Sequence, residues 1–208
     1  MGRLRVAEIF YSLLGESTYY GLPCAFVRLA GCNLRCTYCD TPQVQDEGEE
    51  YNVQQVLSIL SGYPAKLVEI TGGEPLLQEG VYELIQKLIE RKYKILIETS
   101  GSIDIDRLPV EVVVIMDIKC PSSGMHERVR WENLGRLKQE DEIKFVVQNF
   151  DDYLWAREVI EKYNLSGRKI LLSPVFNKLS PKILSEWILK DGLNVRLQLQ
   201  LHKIIGIR

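Results

Sequence analysis

Three of the chain's five cysteines lie close together in the segment GCNLRCTYCDT, which runs from Gly31 to Thr41. Cys32, Cys36 and Cys39 have C-x3-C-x2-C spacing, so their thiolates can surround one metal centre without long-range folding. A closed tetrahedral zinc or iron-sulfur site needs four ligands. Either a fourth ligand comes from elsewhere in the chain, or one metal position is open to an exchangeable ligand.

Zinc is the nearest alternative to an iron-sulfur cluster. Zinc fingers usually combine two separated pairs of ligands, and this chain has no second pair, because its only histidines are His126 and His202. Cys24 begins an apolar run and is typical of a small buried hydrophobe. Cys120 follows a predicted strand and stays open as a contact of the bound group. Three buried cysteines without any ligand are the least favoured interpretation of the cluster.

Length and composition indicate a globular protein with one domain over residues 1–208. The chain is 46% hydrophobic and 26% charged, which is enough for one well-buried core. It contains no apolar run of signal-peptide or membrane-spanning length, and its cysteine count is odd, so we expect a cytoplasmic protein with reduced thiols. The net charge of −2 gives no electrostatic case for nucleic acid binding, and we expect no membrane partner.

Apolar runs of strand length alternate with helical patterns along the chain. Strands are predicted at 25–29, 67–70, 95–97, 112–118, 143–147, 170–172 and 195–201. Helices are predicted around 53–60, 81–89 and 156–163, and a fourth runs from the cap Ser180 to Gly192. This order predicts an α/β fold: a partial, open-mouthed parallel β/α barrel of about six or seven strands. Its site should lie at the carboxyl ends of the strands.

The residues with chemical potential do follow predicted strands. Four loops come directly after strands: the cysteine loop, TGGEP at 71–75, TSGS at 99–102 and CPSSG at 120–124. Each loop alone is compatible with an ordinary turn, because Gly, Pro and Ser are common turn residues. Four such loops on one rim favour a functional site.

The cysteine motif, with Tyr38 before its last cysteine and GGEP one strand later, resembles the radical S-adenosylmethionine superfamily. The resemblance implies that Cys32, Cys36 and Cys39 hold a [4Fe-4S] cluster and that S-adenosylmethionine occupies the fourth iron. The cosubstrate would then be the missing ligand. The GGE loop, including Gly73, is implied to bind the methionyl amino group, since glycine lets backbone approach a ligand closely.

Flanking segments narrow the resemblance to the 7-carboxy-7-deazaguanine synthase family. IFYSLLGES, GLPCAFVRLAGCNLRCTYCDT, EITGGEPLLQ, IETSGS, PSSGM and LQLHK occur in that family's order across nearly the whole chain. The family converts 6-carboxy-5,6,7,8-tetrahydropterin to 7-carboxy-7-deazaguanine with loss of ammonia, on the route to queuosine and other deazapurines. The resemblance also implies Mg²⁺, a homodimer and an electron donor such as flavodoxin or ferredoxin.

Site residues follow from the resemblance by position. S-adenosylmethionine would contact Tyr38, Cys39, Asp40, Gly73, Ser100, Asp117 and Lys119. Mg²⁺ would bind Thr41, whose hydroxyl suits that ion's preference for oxygen, although a threonine after aspartate is also a common turn element. The substrate would contact Leu13, Leu14, Gly15, Arg28, Thr71, Gln200 and His202. Arg28 offers a fork for the substrate's carboxylate, and the alternative is an arginine that merely extends to the surface.

Two segments depart from the family pattern. Where the family commonly has S-x-Q-G-E-G, residues 12–17 read SLLGES, so Leu14 replaces a glutamine that faces the pterin. Where the family often has S-P-K, this chain has Asp117, Ile118 and Lys119. These changes concern side-chain contacts and leave the predicted fold as it stands.

The segment 195–202 reads VRLQLQLH, a strict alternation that predicts a strand. Its polar face would carry Arg196, Gln198, Gln200 and His202 into the barrel. The alternative is an edge strand whose polar face is solvated.

Two other functions share parts of this pattern. A radical activase, which installs a glycyl radical on a partner protein, would have the cluster but would need a protein-docking surface and no pterin pocket. A non-catalytic iron-sulfur electron carrier would have no use for GGEP or an open iron, so it is the weakest alternative.

Overall fold

The computed structural model describes residues 2–207, which form one nine-stranded sheet with the order β3-β1-β2-β4-β5-β6-β7-β8-β9. The strands are β1 (Arg3–Leu13), β2 (Pro23–Leu29), β3 (Glu49–Asn52), β4 (Leu67–Gly72), β5 (Lys94–Thr99), β6 (Val112–Lys119), β7 (Glu142–Val147), β8 (Lys169–Pro174) and β9 (Arg196–Leu197). The helices are α1 (Val53–Ser61), α2 (Gly80–Glu90), α3 (Phe150–Lys162), α4 (Pro181–Asp191) and α5 (Leu201–Ile205).

Seven strands, β2 and β4 to β9, pair in parallel, which confirms the predicted partial parallel barrel. Two further strands were not predicted. β1 pairs antiparallel with β2, and β3 pairs antiparallel with β1, so together they extend one edge of the sheet. The sequence EEYN of β3 has no apolar run to mark it, and only its pairing with β1 makes it a strand.

The four predicted helices pack on the outer face of the sheet and bury one large apolar core. Helix α1 begins at Asn52, whose side chain accepts from the Gln55 backbone N–H while the Gln55 side chain accepts from the Asn52 N–H. Helix α4 begins with Pro181 and ends at Asp191, and the predicted end residue Gly192 caps it with a φ of +59°. The side chain of Ser180 makes no capping hydrogen bond, so Pro181 is the stronger start signal here.

The inner face of the sheet is apolar near the amino ends of the strands and polar near their carboxyl ends. Towards the amino ends it carries a small apolar cluster of Phe10, Leu14, Cys24, Phe26, Leu96, Val113 and Ile115, which we call the floor. Side chains two residues apart share a face of a strand. Leu96 is therefore followed on the same face by Glu98, and Ile115 by Asp117. The polar side chains thus lie above the floor, at the carboxyl ends of the strands.

The predicted strand over 195–201 is wrong beyond Leu197. After Arg196 and Leu197, the Gln198 N–H donates to the Leu172 carbonyl at 2.8 Å, and helix α5 begins at Leu201. β8 ends at Pro174, which has no N–H to continue the ladder. No described helix is long and apolar enough to cross a lipid bilayer.

Candidate functional site

A cavity of about 630 Å³ opens at the carboxyl ends of the parallel strands, where the sequence predicted the site. The predicted residues that line it are Leu13, Gly15, Arg28, Cys32, Cys36, Tyr38, Cys39, Asp40, Thr41, Thr71, Gly73, Ser100, Asp117, Lys119, Gln200 and His202. Leu14 does not line the cavity, because its side chain is 1% exposed and belongs to the floor. A side-chain contact between Leu14 and a ligand is therefore not compatible with this structure.

The three clustered cysteines are free thiols that face this cavity together. Their loop is fixed from both sides, because the Gly31 N–H donates to the Val44 carbonyl at 2.8 Å and Thr37 donates to the Ser122 and Ser123 carbonyls. Burial raises the pKa of the Cys32 and Cys36 thiols, so these groups need a positive partner to become thiolates. An iron-sulfur cluster would supply that positive charge.

Three free thiols on one cavity suit a cluster better than a single metal ion. Within residues 2–207, no three Cys, His, Asp or Glu side chains converge closely enough to bind one metal ion. A [4Fe-4S] cluster takes one thiolate for each of three irons, so its ligands need not converge on one point. Cys24 and Cys120 are fully buried in the apolar clusters and do not line the cavity. The idea that Cys120 contacts the bound group is therefore not supported.

The TGGEP loop packs directly on the backbone that leads into the cysteine loop. The Gly73 N–H donates to the Leu29 carbonyl at 3.0 Å, and the Glu74 N–H donates to the Gly31 carbonyl at 2.9 Å. A Cβ on Gly73 would lie 1.9 Å from the Gly31 oxygen, and one on Gly72, at φ +127°, would lie 2.1 Å from the Leu29 oxygen. Both glycines are thus required by contact between the two loops, in addition to any approach of a ligand.

Glu74 joins the TGGEP loop to the TSGS loop. Its carboxylate is 0% exposed and accepts from Leu76 N at 3.1 Å, Thr99 Oγ1 at 2.9 Å, Ser100 N at 2.8 Å and Ser100 Oγ at 2.6 Å. Burial raises the pKa of this carboxyl, and the four hydrogen bonds act in the opposite direction. Glu74 does not line the cavity, so its role is to hold Ser100 in place.

We expect Glu74→Gln to lower the free energy of unfolding by about 1–3 kcal/mol, because the amide would set an N–H donor against donors in a buried position. Chemical unfolding followed by circular dichroism measures the effect. Glu79→Gln, at an exposed neighbour whose carboxylate pairs with Arg107, is the matched control and should unfold close to the wild type. Equal midpoints for the wild type and Glu74→Gln would show that the network contributes nothing.

A lysine that the sequence analysis did not single out lies at the centre of the cavity's charges. Lys144 Nζ is 2.7 Å from a Glu16 oxygen, 2.5 Å from a Glu98 oxygen and 3.3 Å from a carboxylate oxygen of Asp117. Burial opposes the charge on Lys144, but the three carboxylates outweigh it and raise its pKa. Burial also opposes the charge on Glu98, but Lys144 outweighs it and lowers the pKa of that carboxyl.

Asp117 and Lys119 form an ion pair of 3.0 Å at the end of β6. Burial opposes the lysine charge, yet Asp117 raises the pKa of Lys119. The Oδ1 atom of Asp117 is buried without a hydrogen-bond partner among the described residues. The departure from S-P-K therefore places an ion pair on the cavity wall, with one acceptor left for a ligand.

Three charged residues of the cavity were not predicted, although the sequence around them indicates their position. Glu69, Glu98 and Lys144 are charged residues inside strands that are otherwise continuous apolar runs. Charged side chains are rarely buried unless they are paired or face a polar site. A charge in the middle of an apolar strand that leads into a suspected active-site loop therefore indicates a cavity residue.

Arg28 is held in place on β2. Its Nε donates to a Glu8 carboxylate oxygen at 3.2 Å, and its guanidinium lies 5.7 Å from the centre of the Phe10 ring. The terminal nitrogens make no hydrogen bond with residues 2–207, so they are available to an anionic ligand. On the next strand, Thr71 donates to Glu98 at 3.0 Å.

Gln200 and His202 reach the cavity, although the strand that was predicted to bring them there is absent. The Leu201 N–H donates to the Gly15 carbonyl at 2.9 Å, and Gln200 donates to Glu16 at 2.8 Å. The His202 ring lies against Gly15, where a Cβ would be 1.9 Å from Nδ1. Burial lowers the pKa of His202, which favours a neutral imidazole at this position.

Tyr38, Asp40 and Thr41 follow the cysteines along one wall. The Tyr38 hydroxyl donates to the Val146 carbonyl at 3.1 Å, and burial raises its pKa. Burial opposes the charge on Asp40, but Lys203 at 3.1 Å outweighs it and lowers the carboxyl pKa. Thr41 precedes a short turn, yet its hydroxyl makes no capping hydrogen bond. The oxygen of Thr41 is therefore available to another partner.

Named relatives match almost the whole chain, and a family model matches part of it. The radical SAM superfamily model matches residues 27–116. The 7-carboxy-7-deazaguanine synthase of Chlorobaculum tepidum is 44% identical over 206 residues, which cover 97% of this chain and 94% of that protein. The enzyme of the same name from Koribacter versatilis is 42% identical, and the match covers 97% of this chain and 96% of that protein.

A solved structure gives the same result. QueE from Escherichia coli superposes with a TM-score of 0.81 at 27% identity, covering 96% of this chain and 95% of that one. SuiB of Streptococcus suis bound to S-adenosylmethionine has a TM-score of 0.56 at 15% identity and shares the fold alone. Its match covers 81% of this chain and 48% of SuiB. The chain belongs to the 7-carboxy-7-deazaguanine synthase family of radical S-adenosylmethionine enzymes.

Proposed function

We propose that this chain converts 6-carboxy-5,6,7,8-tetrahydropterin to 7-carboxy-7-deazaguanine with release of ammonia, a step in the biosynthesis of queuosine and other deazapurines. The observation that supports it most is the shared cavity, in which three free thiols face the same space as Arg28 and the charges around Lys144. The relatives in Chlorobaculum tepidum and Koribacter versatilis carry the name of this activity.

The rim of the cavity would hold the cofactors. Cys32, Cys36 and Cys39 would ligate the [4Fe-4S] cluster, and together with S-adenosylmethionine it supplies the radical that starts the reaction. The cosubstrate would lie against Tyr38, Asp40, Gly73, Ser100, Asp117 and Lys119. Ser100, fixed by Glu74, and the ion pair of Asp117 with Lys119 offer both donors and an acceptor.

The inner part of the cavity would hold the pterin. The terminal nitrogens of Arg28 would bind the substrate's carboxylate, and Thr71, Gln200 and His202 would contact its rings or substituents. Leu13 and Gly15 line the same wall, whereas Leu14 is left out because its side chain lies in the floor. The floor closes the cavity away from the mouth, which limits access of water and of other hydrogen donors.

The incubation that tests this function uses anaerobically reduced protein loaded with its cluster. S-adenosylmethionine and the carboxytetrahydropterin are added together and then singly, and the ultraviolet spectrum is followed. We expect the deazaguanine spectrum only in the complete mixture. A radical activase would instead cleave S-adenosylmethionine without changing the pterin spectrum. An electron donor of the flavodoxin or ferredoxin type and a homodimer are further parts of this proposal.

Mg²⁺ would bind beside Thr41, in contact with the substrate. The hydroxyl of Thr41 lines the cavity and makes no capping hydrogen bond. Mg²⁺ takes oxygen ligands and keeps several waters, so one protein hydroxyl completed by substrate and water suits it. The ion would then orient the pterin for reaction.

Turnover is expected to depend on Mg²⁺, and Thr41→Ala is expected to weaken that dependence, because the variant removes a ligand oxygen. Thr41→Ser keeps the hydroxyl and is the matched control. Cluster content and the cleavage of S-adenosylmethionine without pterin should be the same in all three proteins, since neither needs the pterin in place. A titration of turnover against Mg²⁺ decides the matter: superimposable curves for wild type and Thr41→Ala would rule out the metal role.

A further inference from the structure

Glu69 is a deeply placed carboxyl group that nothing in the described chain binds. It lies on β4, is 7% exposed and lines the cavity. Its side chain makes no hydrogen bond or ion pair with residues 2–207. In the sheet register Glu69 pairs with Phe26 on one side and Leu96 on the other, and both of these residues belong to the floor. The group therefore marks the innermost polar point of the cavity.

The other carboxylates of the cavity differ from Glu69 in having a cation. Glu16, Glu98 and Asp117 all contact Lys144. Burial, followed by the charges of Glu98 and Glu16, raises the pKa of Glu69, and Lys144 and Arg28 offset this only in part. Without donors, burial favours the neutral acid, whereas a ligand that donates hydrogen bonds to both oxygens would favour the carboxylate.

The substrate proposed above carries such donors. The amino-pyrimidinone ring of a pterin presents a ring N–H beside an amino group, and these two parallel donors match the two oxygens of one carboxylate. The opposite end of the substrate carries its carboxylate. Arg28 pairs with Thr71 in the sheet register. Thr71 follows Glu69 by two residues on the same face of β4, so Arg28 and Thr71 lie closer to the cysteine loop than Glu69 does. Thus a cation lies towards the mouth and an unpaired carboxyl lies at the floor.

We infer that Glu69 is the specificity-determining residue that binds the amino-pyrimidinone edge of the substrate, accepting from its ring N–H and 2-amino group. Arg28 then binds the carboxylate at the other end, so the substrate enters with its amino-pyrimidinone edge first. This inference rests on the proposed function. It adds a residue and an orientation to that function. Glu69 is the better acceptor for two parallel donors, because Glu16, Glu98 and Asp117 each have an oxygen in contact with Lys144.

The test compares two stable ligands, 6-carboxypterin and 6-carboxylumazine. The lumazine carries an oxygen in place of the 2-amino group of the pterin. Their affinities for the protein loaded with its cluster and S-adenosylmethionine are measured by fluorescence titration. The wild type should bind the pterin about tenfold or more tightly than the lumazine, since one hydrogen bond to a buried carboxylate is lost. Equal affinities in the wild type would overturn the inference, and this comparison does not depend on any variant.

Glu69→Gln should reduce the preference for the pterin over the lumazine at least severalfold and raise KM for the tetrahydropterin. The glutamine NH2 group would face an N–H donor of the substrate in place of a carboxylate oxygen. Iron content and affinity for S-adenosylmethionine should stay at wild-type values, which shows that the fold is kept. Glu142→Gln is the matched control: Glu142 is also buried on a strand but accepts from Thr18 and does not line the cavity. It should keep the wild-type preference.

The outcomes separate the inference from the function. If the wild type forms the deazaguanine but Glu69→Gln keeps the full preference for the pterin, the inference is overturned and the function stands. If the wild type neither binds carboxypterin nor consumes the tetrahydropterin, both are overturned. Both are supported if the wild type forms the deazaguanine and if the preference for carboxypterin over carboxylumazine falls in Glu69→Gln but not in Glu142→Gln.

Discussion

Replacing Cys36 with alanine is expected to abolish the [4Fe-4S] cluster, and Cys32→Ala and Cys39→Ala should do the same. Each thiolate would hold a separate iron, and the two other cysteines cannot replace a lost ligand, because Cys24 and Cys120 are fully buried in apolar clusters and do not line the cavity. Activity should be lost completely with the cluster. Iron and sulfide analysis after anaerobic reconstitution, with the visible absorption spectrum, measures the result.

Cys24→Ala and Cys120→Ala are the matched controls. Both thiols are fully buried in apolar clusters away from the cavity, and burial raises the pKa of each, which is the behaviour of structural cysteines. Their iron content should stay near that of the wild type, with at most a modest loss of stability. A full cluster in Cys36→Ala, or a cluster lost in Cys120→Ala, would contradict the assignment of the ligands.

Gly73→Ala is expected to remove both the cluster and the binding of S-adenosylmethionine. The added Cβ would stand 1.9 Å from the Gly31 carbonyl oxygen and 3.0 Å from the Cys32 Cβ, so the cysteine loop would have to move. If Gly73 only gave room to the methionyl group, an added side chain would block the cosubstrate and leave the cluster intact. The contact between the two loops predicts the larger effect, because the cysteine loop itself would be displaced.

Iron analysis and calorimetric titration with S-adenosylmethionine measure the two effects of Gly73→Ala. Gly167→Ala is the control, since a Cβ there meets no atom within 4 Å and φ is not in the left-handed region. It should match the wild type in both measurements. An intact cluster with wild-type affinity for S-adenosylmethionine in Gly73→Ala would show that the loops separate without cost.

The parallel part of the fold was predictable because its strands are buried on both faces. Such strands read as short continuous apolar runs, and helical patterns separate most of them. β1 was not predicted because no continuous apolar run marks it, although the alternation of Arg3 and Arg5 with the buried Leu4 and Val6 is itself a signal of a half-buried strand. The C-terminal alternation failed as a predictor because a strand also needs a partner, and Pro174 ends the ladder of its neighbour.

The rim of the site was predictable from motifs, whereas its interior was not. Local spacing identifies Cys32, Cys36 and Cys39, since their loop is short. The charges of Glu69, Glu98 and Lys144 come from three different strands, and only the parallel register brings them together. Leu14 shows the opposite error, because position in a motif suggested a ligand contact while packing placed its side chain in the floor.

The most direct test of the whole account is the mass of the product. Reduced, cluster-loaded protein is incubated with S-adenosylmethionine, Mg²⁺ and 6-carboxy-5,6,7,8-tetrahydropterin, and the mixture is analysed by mass spectrometry together with an ammonium assay. We predict a product with the mass of 7-carboxy-7-deazaguanine and one ammonium ion released for each molecule formed. Cleavage of S-adenosylmethionine with the pterin recovered unchanged and no ammonium released would contradict the account.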